Sequence, residues 1–406
     1  MGRKTTGRTT MALAIGLLLV VGAAAAADKN YGPGVSDSEI KLGQSIPYSG
    51  PASAFSVVGR VQVAYFKMLN AKGGINGRKI ELISLDNGFS PPKALEASRR
   101  LVEEVGVLAE AGTLGTPTNL ASQKYLNGKR VPQLYVSAGA TRFNDPKNFP
   151  WTVPWYTRFE MESRIYAKYI LQTKPAARIA VLYQNDEFGR DYLTALKKRL
   201  GDRAASMIVA EASYELSDPQ IDSQMIALKA SGADTLLAFV TPKFSAMAIR
   251  KAFELDWRPL HFVGQPGSAI ESVIRPAGVE KAVGLITAQL LKDPGDPAFA
   301  NDAEVVEYNR FMATWAAGDN AKDTGAISGY VTAQGIELVL RRCGEELTRD
   351  NVLKQATSLH GVRLKMLLPG MTLSNSPDDY IAFRQYQLAR FDGQGWVLMG
   401  ELITAD

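Results

Sequence analysis

The sequence predicts an α/β protein of two similar lobes, each built around a parallel sheet. Three observations point that way. Strand-like apolar runs alternate with helix-like runs along most of the chain, the pattern of parallel sheets covered by helices. A unit of strand, short polar loop and helix occurs twice with the same punctuation. At 406 residues and 46% hydrophobic content, the chain is long and apolar enough for more than one core.

The elements follow in order. Arg3, Lys4 and Arg8, the apolar run Met11 to Val21 and the alanines 23–27 before Asp28 predict a secretory signal peptide over 1–27. The apolar run is too short to span a bilayer comfortably, so an exported, soluble mature chain is expected. Removal of those three positive charges would lower the net charge from +5 to about +2. Such a balance does not predict nucleic-acid binding. Cys343 is the only cysteine, which excludes an intramolecular disulfide; in "LRRCGEEL" it is expected to pack within a helix.

"EIKLGQSIPYSGPAS" reads as a strand from Ile40 to Ile46 and a loop through Ser49, Gly50 and Pro51. The next helix places Val57, Val61, Ala64 and Met68 on one face, and "NAKGGINGRK" stops it before a strand from Lys79 to Leu85. "NGFSPPKALEASRRLVEE" opens another helix, with Ala94, Ala97, Leu101 and Val105 along one face. Then "EAGTLGTPTNLAS" follows the apolar run Val105 to Ala109. Thr116 is expected as N-cap and Pro117 as the first helical residue. A helix start with free amides, glycines for close approach and threonine hydroxyls suits a small anion or carbonyl.

The repeat is the informative feature. "GTPTNL" followed by "VPQLYVSAGAT" in the first half matches "DTLLAFVTPKFSAM" followed by "RPLHFVGQPGSA" in the second. Between them, "RIAVLYQNDEFGRDYLTALKKRL" predicts a strand from Arg178 to Tyr183, a polar loop around Phe188 and Gly189, and a helix. Ligands of open α/β sheets sit beyond the carboxyl ends of the strands, so two facing lobes would line one cleft and close by a hinge. Catalysis is disfavoured: His261 and His360 fit no triad or metal pattern, and no Gly-x-Ser-x-Gly, Walker or Gly-x-Gly-x-x-Gly motif is present. No cofactor or metal is expected.

From Ile40 onward the chain resembles the type I periplasmic solute-binding proteins of ATP-binding cassette importers, in the leucine/isoleucine/valine-binding group. The matching segments are "SGPASAFSVVGR", "NAKGGINGRKIEL", "LDNGFSPPKALEASRRLVEE" and "RIAVLYQNDEFGRDYL". The resemblance implies two doubly wound, Rossmann-like lobes joined by three crossovers, expected near Trp151, Ile286 and Gly370. Lobe 1 would then comprise 28–150 and 287–370, and lobe 2 151–286 and 371–406. It also implies a periplasmic protein that delivers a small molecule to permease subunits in the inner membrane, and the duplicated unit with several chain crossovers predicts a monomer. By the same resemblance Gly115, Thr116, Ala138, Gly139, Ala140 and Thr141 would hold a ligand carboxylate, while Phe55 and Phe188 flank the ligand. Thr241, Gln265 and Pro266 would line the second lobe, and Trp155 and Tyr156, in "PWTVPWYTRF" beside the first hinge, would add a flat apolar wall. Amino-acid binders of the family carry a glutamate in the loop matching "VGQPGSA", where this chain has Gln265 and Pro266. That argues for a carboxylate or amide ligand with an uncharged, aromatic body, unless Glu110 or Asp186 substitutes. An amino-acid binder, a ligand-sensing module and an exported hydrolase of the same fold stand as alternatives.

Overall fold

The computed structural model describes residues 1–3, 29–156 and 158–404, so the signal peptide expected at 1–27 lies, past residue 3, outside the described residues. Two parallel sheets dominate. The first has the order Lys79–Asp86, Glu39–Ile46, Ala109–Ala111, Gln133–Val136, Thr152–Pro154, all parallel. The second has the order Ile208–Tyr214, Ile179–Gln184, Thr235–Phe239, Leu260–Val263, Ile286–Gln289, also parallel. Numbered within each lobe, both sheets run 2-1-3-4-5, so the repeat in the sequence is a repeat of topology. The second sheet then gains two antiparallel strands, Gln385–Phe391 and Trp396–Thr404.

The helices form where the apolar spacing predicts. In Ser56–Ala71, Val57, Val61 and Ala64 are buried, and this face packs on the long helix Thr324–Cys343, in which Cys343 is buried. The helix Pro91–Arg99 continues as a π-helical turn, Arg100–Val105, which Gly106 ends in the left-handed region at φ 71°. The strand that follows is therefore shorter and later than the apolar run suggested, Ala109–Ala111.

Three chain passages join the lobes. Thr152–Pro154 stays whole in the first sheet and Ile286–Gln289 in the second, so the chain crosses after Pro154 and after Gln289. On its return, Leu373 still pairs with Val362, and the Asn375 amide still donates to Leu359 O. The third passage thus comes shortly before Gln385. All three lie later than the positions expected at 151, 286 and 370, because periodicity marks a strand but not the sheet that it joins.

Candidate functional site: the cleft between the lobes

In a sheet of order 2-1-3-4-5, the loops after strands 1 and 3 part company and leave a crevice at the carboxyl ends. In the first lobe these are the segments after Ile46 and after Ala111, which carry Phe55 and Gly115–Thr116. In the second they follow Gln184 and Phe239, and carry Phe188 and Thr241. The two crevices face each other around one pocket, with about 980 Å³ of space continuous with solvent.

The first-lobe end of the pocket is polar. Gly115, at φ 108°, is the N-cap of the helix Thr116–Gly128, so Thr116 is the first helical residue rather than the cap expected from the sequence. A side chain on Gly115 would strike Thr118 Oγ1 at 2.5 Å and the Phe89 ring at 2.7 Å, which fixes glycine there. The freed Thr116 hydroxyl makes no cap bond. It is buried with no hydrogen-bond partner, and so is the Ser137 hydroxyl at the end of the neighbouring strand; both line the pocket. Stranding two buried hydroxyls is costly, so an acceptor or donor from a ligand is the natural complement.

Helices present their first turns to the pocket at Val58, Thr116, Phe159, Phe188, Pro242 and Thr324, and the lining includes no lysine, arginine, histidine or cysteine among the described residues. Positive potential here comes from helix ends, which favour anions. The walls are apolar: Phe55, Val58, Phe89 and Leu114 from one lobe face Phe159, Phe188, Pro266 and Ala269 from the other. Phe188 sits in the first turn of the helix Glu187–Leu200 rather than in a loop, and Asp186 caps that helix by accepting from its amide at 2.9 Å.

Of the residues expected from the sequence, Phe55, Gly115, Thr116, Ala138, Gly139, Phe188, Thr241, Gln265 and Pro266 line this pocket. Ala140, Thr141 and Trp155 do not. The Thr141 amide and hydroxyl both donate to Asp191 Oδ2 of the second lobe, at 3.0 and 3.1 Å, so they tie the lobes together beside the cleft. Ala140 precedes this turn and is buried. Trp155 is fully buried, its ring 4.0 Å from Tyr135 and edge-on to Phe383 at 4.9 Å. Side chains alternate along an extended segment, and Tyr156 is the one that lines the cleft. The substitutes considered for the missing glutamate are also elsewhere. Glu110 is buried in the first lobe with Oε1 unpartnered, and Asp186 is spent on its helix cap.

One lining carboxyl that the sequence reading did not single out is Glu162, on the helix Phe159–Thr173. It is 1% exposed and accepts from Tyr166 Oη, Tyr192 Oη and the Gln265 amide. Burial pushes it up to about 7 although those three donors hold it down. The signal was available: Glu162 lies on the same stripe as Phe159, Tyr166 and Ile170, where a charge is out of place.

A family model described as periplasmic binding protein matches residues 39–395. The Leu/Ile/Val-binding protein homolog 7 of Brucella suis is 26% identical over 249 residues, 58% of this chain and 61% of that protein. The chain thus spans about three fifths of that relative's length. A branched-chain amino acid ABC transporter protein from Thermus thermophilus, solved with bound valine, superposes with a TM-score of 0.82 at 15% identity, covering 91% of this chain and 98% of that one. A fatty acid ABC transporter substrate-binding protein from Thermomonospora curvata superposes with a TM-score of 0.79 at 19% identity, covering 93% and 95%. With the matched model running through both lobes and the cleft between them, this chain belongs to the periplasmic binding protein family.

Proposed function

We propose that this chain is the periplasmic solute-capturing component of an ATP-binding cassette importer. As a monomer, it takes a small carboxylate or amide with an uncharged, apolar body into the cleft and presents it to permease subunits in the inner membrane. The observation that carries this reading is the pairing of two stranded hydroxyls, Thr116 and Ser137, with a pocket walled by phenylalanines. The head group meets the hydroxyls and the helix start, and the body fills the apolar space. Benzoate-like and aryl-keto acids are the first choice, and short amides the second.

The test is calorimetry on the mature chain with benzoate, phenylpyruvate, octanoate, benzamide, leucine and phenylalanine. Binding of an amine-free acid or amide supports the reading. Binding confined to leucine or phenylalanine refutes it in favour of a second reading, an amino-acid carrier, which the Glu162 carboxyl in the second-lobe wall favours. The relatives named for branched-chain amino acids and the neighbour named for fatty acids fit one reading each.

A further inference from the structure

Glu162 is a buried carboxyl in a cleft lined by no basic side chain among the described residues. The groups that face it are neutral. Tyr166, one turn along the same helix, places Oη 2.5 Å from Oε1. Tyr192, on the helix Glu187–Leu200, places Oη 2.5 Å from Oε2. The Gln265 amide, from the loop after the strand Leu260–Val263, lies 2.7 Å from Oε1. The strand Gln385–Phe391 brings Tyr386 close enough for its phenol to be held up by the carboxylate's charge, after burial. Asp323 is the other acid lining the pocket, and it is occupied in capping the helix Thr324–Cys343 through the Gly325 amide.

These hydrogen bonds accommodate Glu162 with or without a proton. Tyr166 Oη accepts from the Ala288 amide at 3.0 Å and lies within reach of two acceptors, Glu162 Oε1 and, at 3.0 Å, Val263 O. A phenol carries one proton to give. With Glu162 ionised, that proton goes to Oε1, and Val263 O is still served by Thr287 Oγ1 at 3.0 Å. With Glu162 protonated, its own O–H donates to Tyr166 Oη, and Tyr166 turns its proton to Val263 O. Neither arrangement strands a buried donor or acceptor.

We propose that Glu162 is a specificity-determining carboxyl that takes up one proton from solvent when an anionic ligand is captured, so that Glu162 and the ligand together carry one negative charge instead of two. This rests on the reading that the ligand's head group is a carboxylate. Two anions sharing one cleft raise each other's proton affinity, as paired carboxyls do, and no basic side chain among the described lining residues relieves them. The burial that already pushes Glu162 up to about 7 puts the proton within reach at neutral pH. The cleft then favours a monoanion, rejects a dianion and takes a neutral amide without proton uptake.

The test has an arm without ligand and an arm with it. Unfolding midpoints of wild type and Glu162→Gln are compared from pH 4.5 to 9. A carboxyl raised in the folded state stabilises fully below its unfolded value and loses that contribution as pH climbs towards 7. Wild type should therefore lose stability relative to Glu162→Gln across pH 4.5 to 7, and the gap should hold constant above. Parallel curves would overturn the proposal. Tyr192→Phe, which removes a donor to the ionised form, should move the end of that window to higher pH; an unmoved window would also overturn it. In the second arm, the Kd of wild type for benzoate should rise by up to ~tenfold per pH unit above pH 7. That slope should vanish in Glu162→Gln and be absent for benzamide. A carboxylate probe whose affinity in wild type ignores pH overturns proton uptake. Failure to bind any carboxylate refutes the ligand reading and uptake with it, while the ligand-free curves report separately on whether Glu162 titrates.

Discussion

Thr116→Val separates a ligand-binding hydroxyl from a helix cap, because the two roles predict opposite changes in the empty protein. The substitution keeps the branched shape and replaces the hydroxyl with a methyl. Thr116 is 2% exposed, its Oγ1 has no partner and Gly115 holds the cap position. A buried polar group left unpaired costs about 1–3 kcal/mol. The empty variant should therefore be more stable than wild type, by about 1 kcal/mol once some of that cost is discounted for solvent entering the cleft. The occupied protein behaves the other way. A hydrogen bond to a charged acceptor contributes about 1.5–3 kcal/mol, so the Kd for a carboxylate should rise roughly 10- to 150-fold. Chemical unfolding of the empty protein and calorimetry with the best binder from the panel measure the two sides. Lower stability with an unchanged Kd would show that the hydroxyl serves only the helix start. A Ser137→Ala change should act in the same sense, and the double variant should lose less than the sum if both hydroxyls clasp one head group.

Three other outcomes are expected. Burial pushes the Glu110 carboxyl up to about 7 in the folded chain; its contribution is complete below its unfolded value near 4.5 and lost as pH rises to 7, so the stability gap between Glu110→Gln and wild type should move by roughly 3 kcal/mol in the variant's favour between pH 4.5 and pH 8, read from urea curves at several pH values. Gly335→Ala would set a Cβ 2.3 Å from the buried Trp155 ring and should cost about 1–3 kcal/mol in thermal unfolding, against no change if the helix Thr324–Cys343 can shift. Asp191→Ala removes the acceptor for the Thr141 amide and hydroxyl, so ligand affinity should fall about fivefold, with small-angle scattering showing a more open occupied protein; an unchanged affinity and radius of gyration would mean that this tie does not hold the lobes.

The cleft's floor was legible in the sequence because it is made of local signals. A strand that ends in glycine and threonine and runs into a helix announces both the close backbone approach and the open helix start, and the second copy of the unit announces the partner lobe. Which neighbour a side chain meets is set by tertiary packing, and there the reading fell short. Trp155 and Tyr156 are adjacent in sequence, and only the depth of the strand before them decides which one enters the cleft. Thr141 reads as one more hydroxyl in a ligand loop until the helix Glu187–Leu200 brings Asp191 against it. Glu162 lies outside every motif loop. Its one trace is a charge on an apolar stripe, and its meaning depends on Tyr192 and Gln265, thirty and more residues away.

The three passages between the lobes also govern when the protein can fold. The helix Thr324–Cys343 covers the helix Ser56–Ala71, and Asn30–Tyr31 pairs with Glu346–Leu347, so the first lobe to begin is not finished until its late segments exist. Closing loops of that length is slow, and the work cannot be done piecemeal as each unit appears. The central run from Ile179 to Gln289, by contrast, contains all five parallel strands of its sheet and needs the tail only for the antiparallel edge. During synthesis the first-made half therefore waits as an incomplete layer with its apolar helix face uncovered, while the middle of the chain is already able to compact.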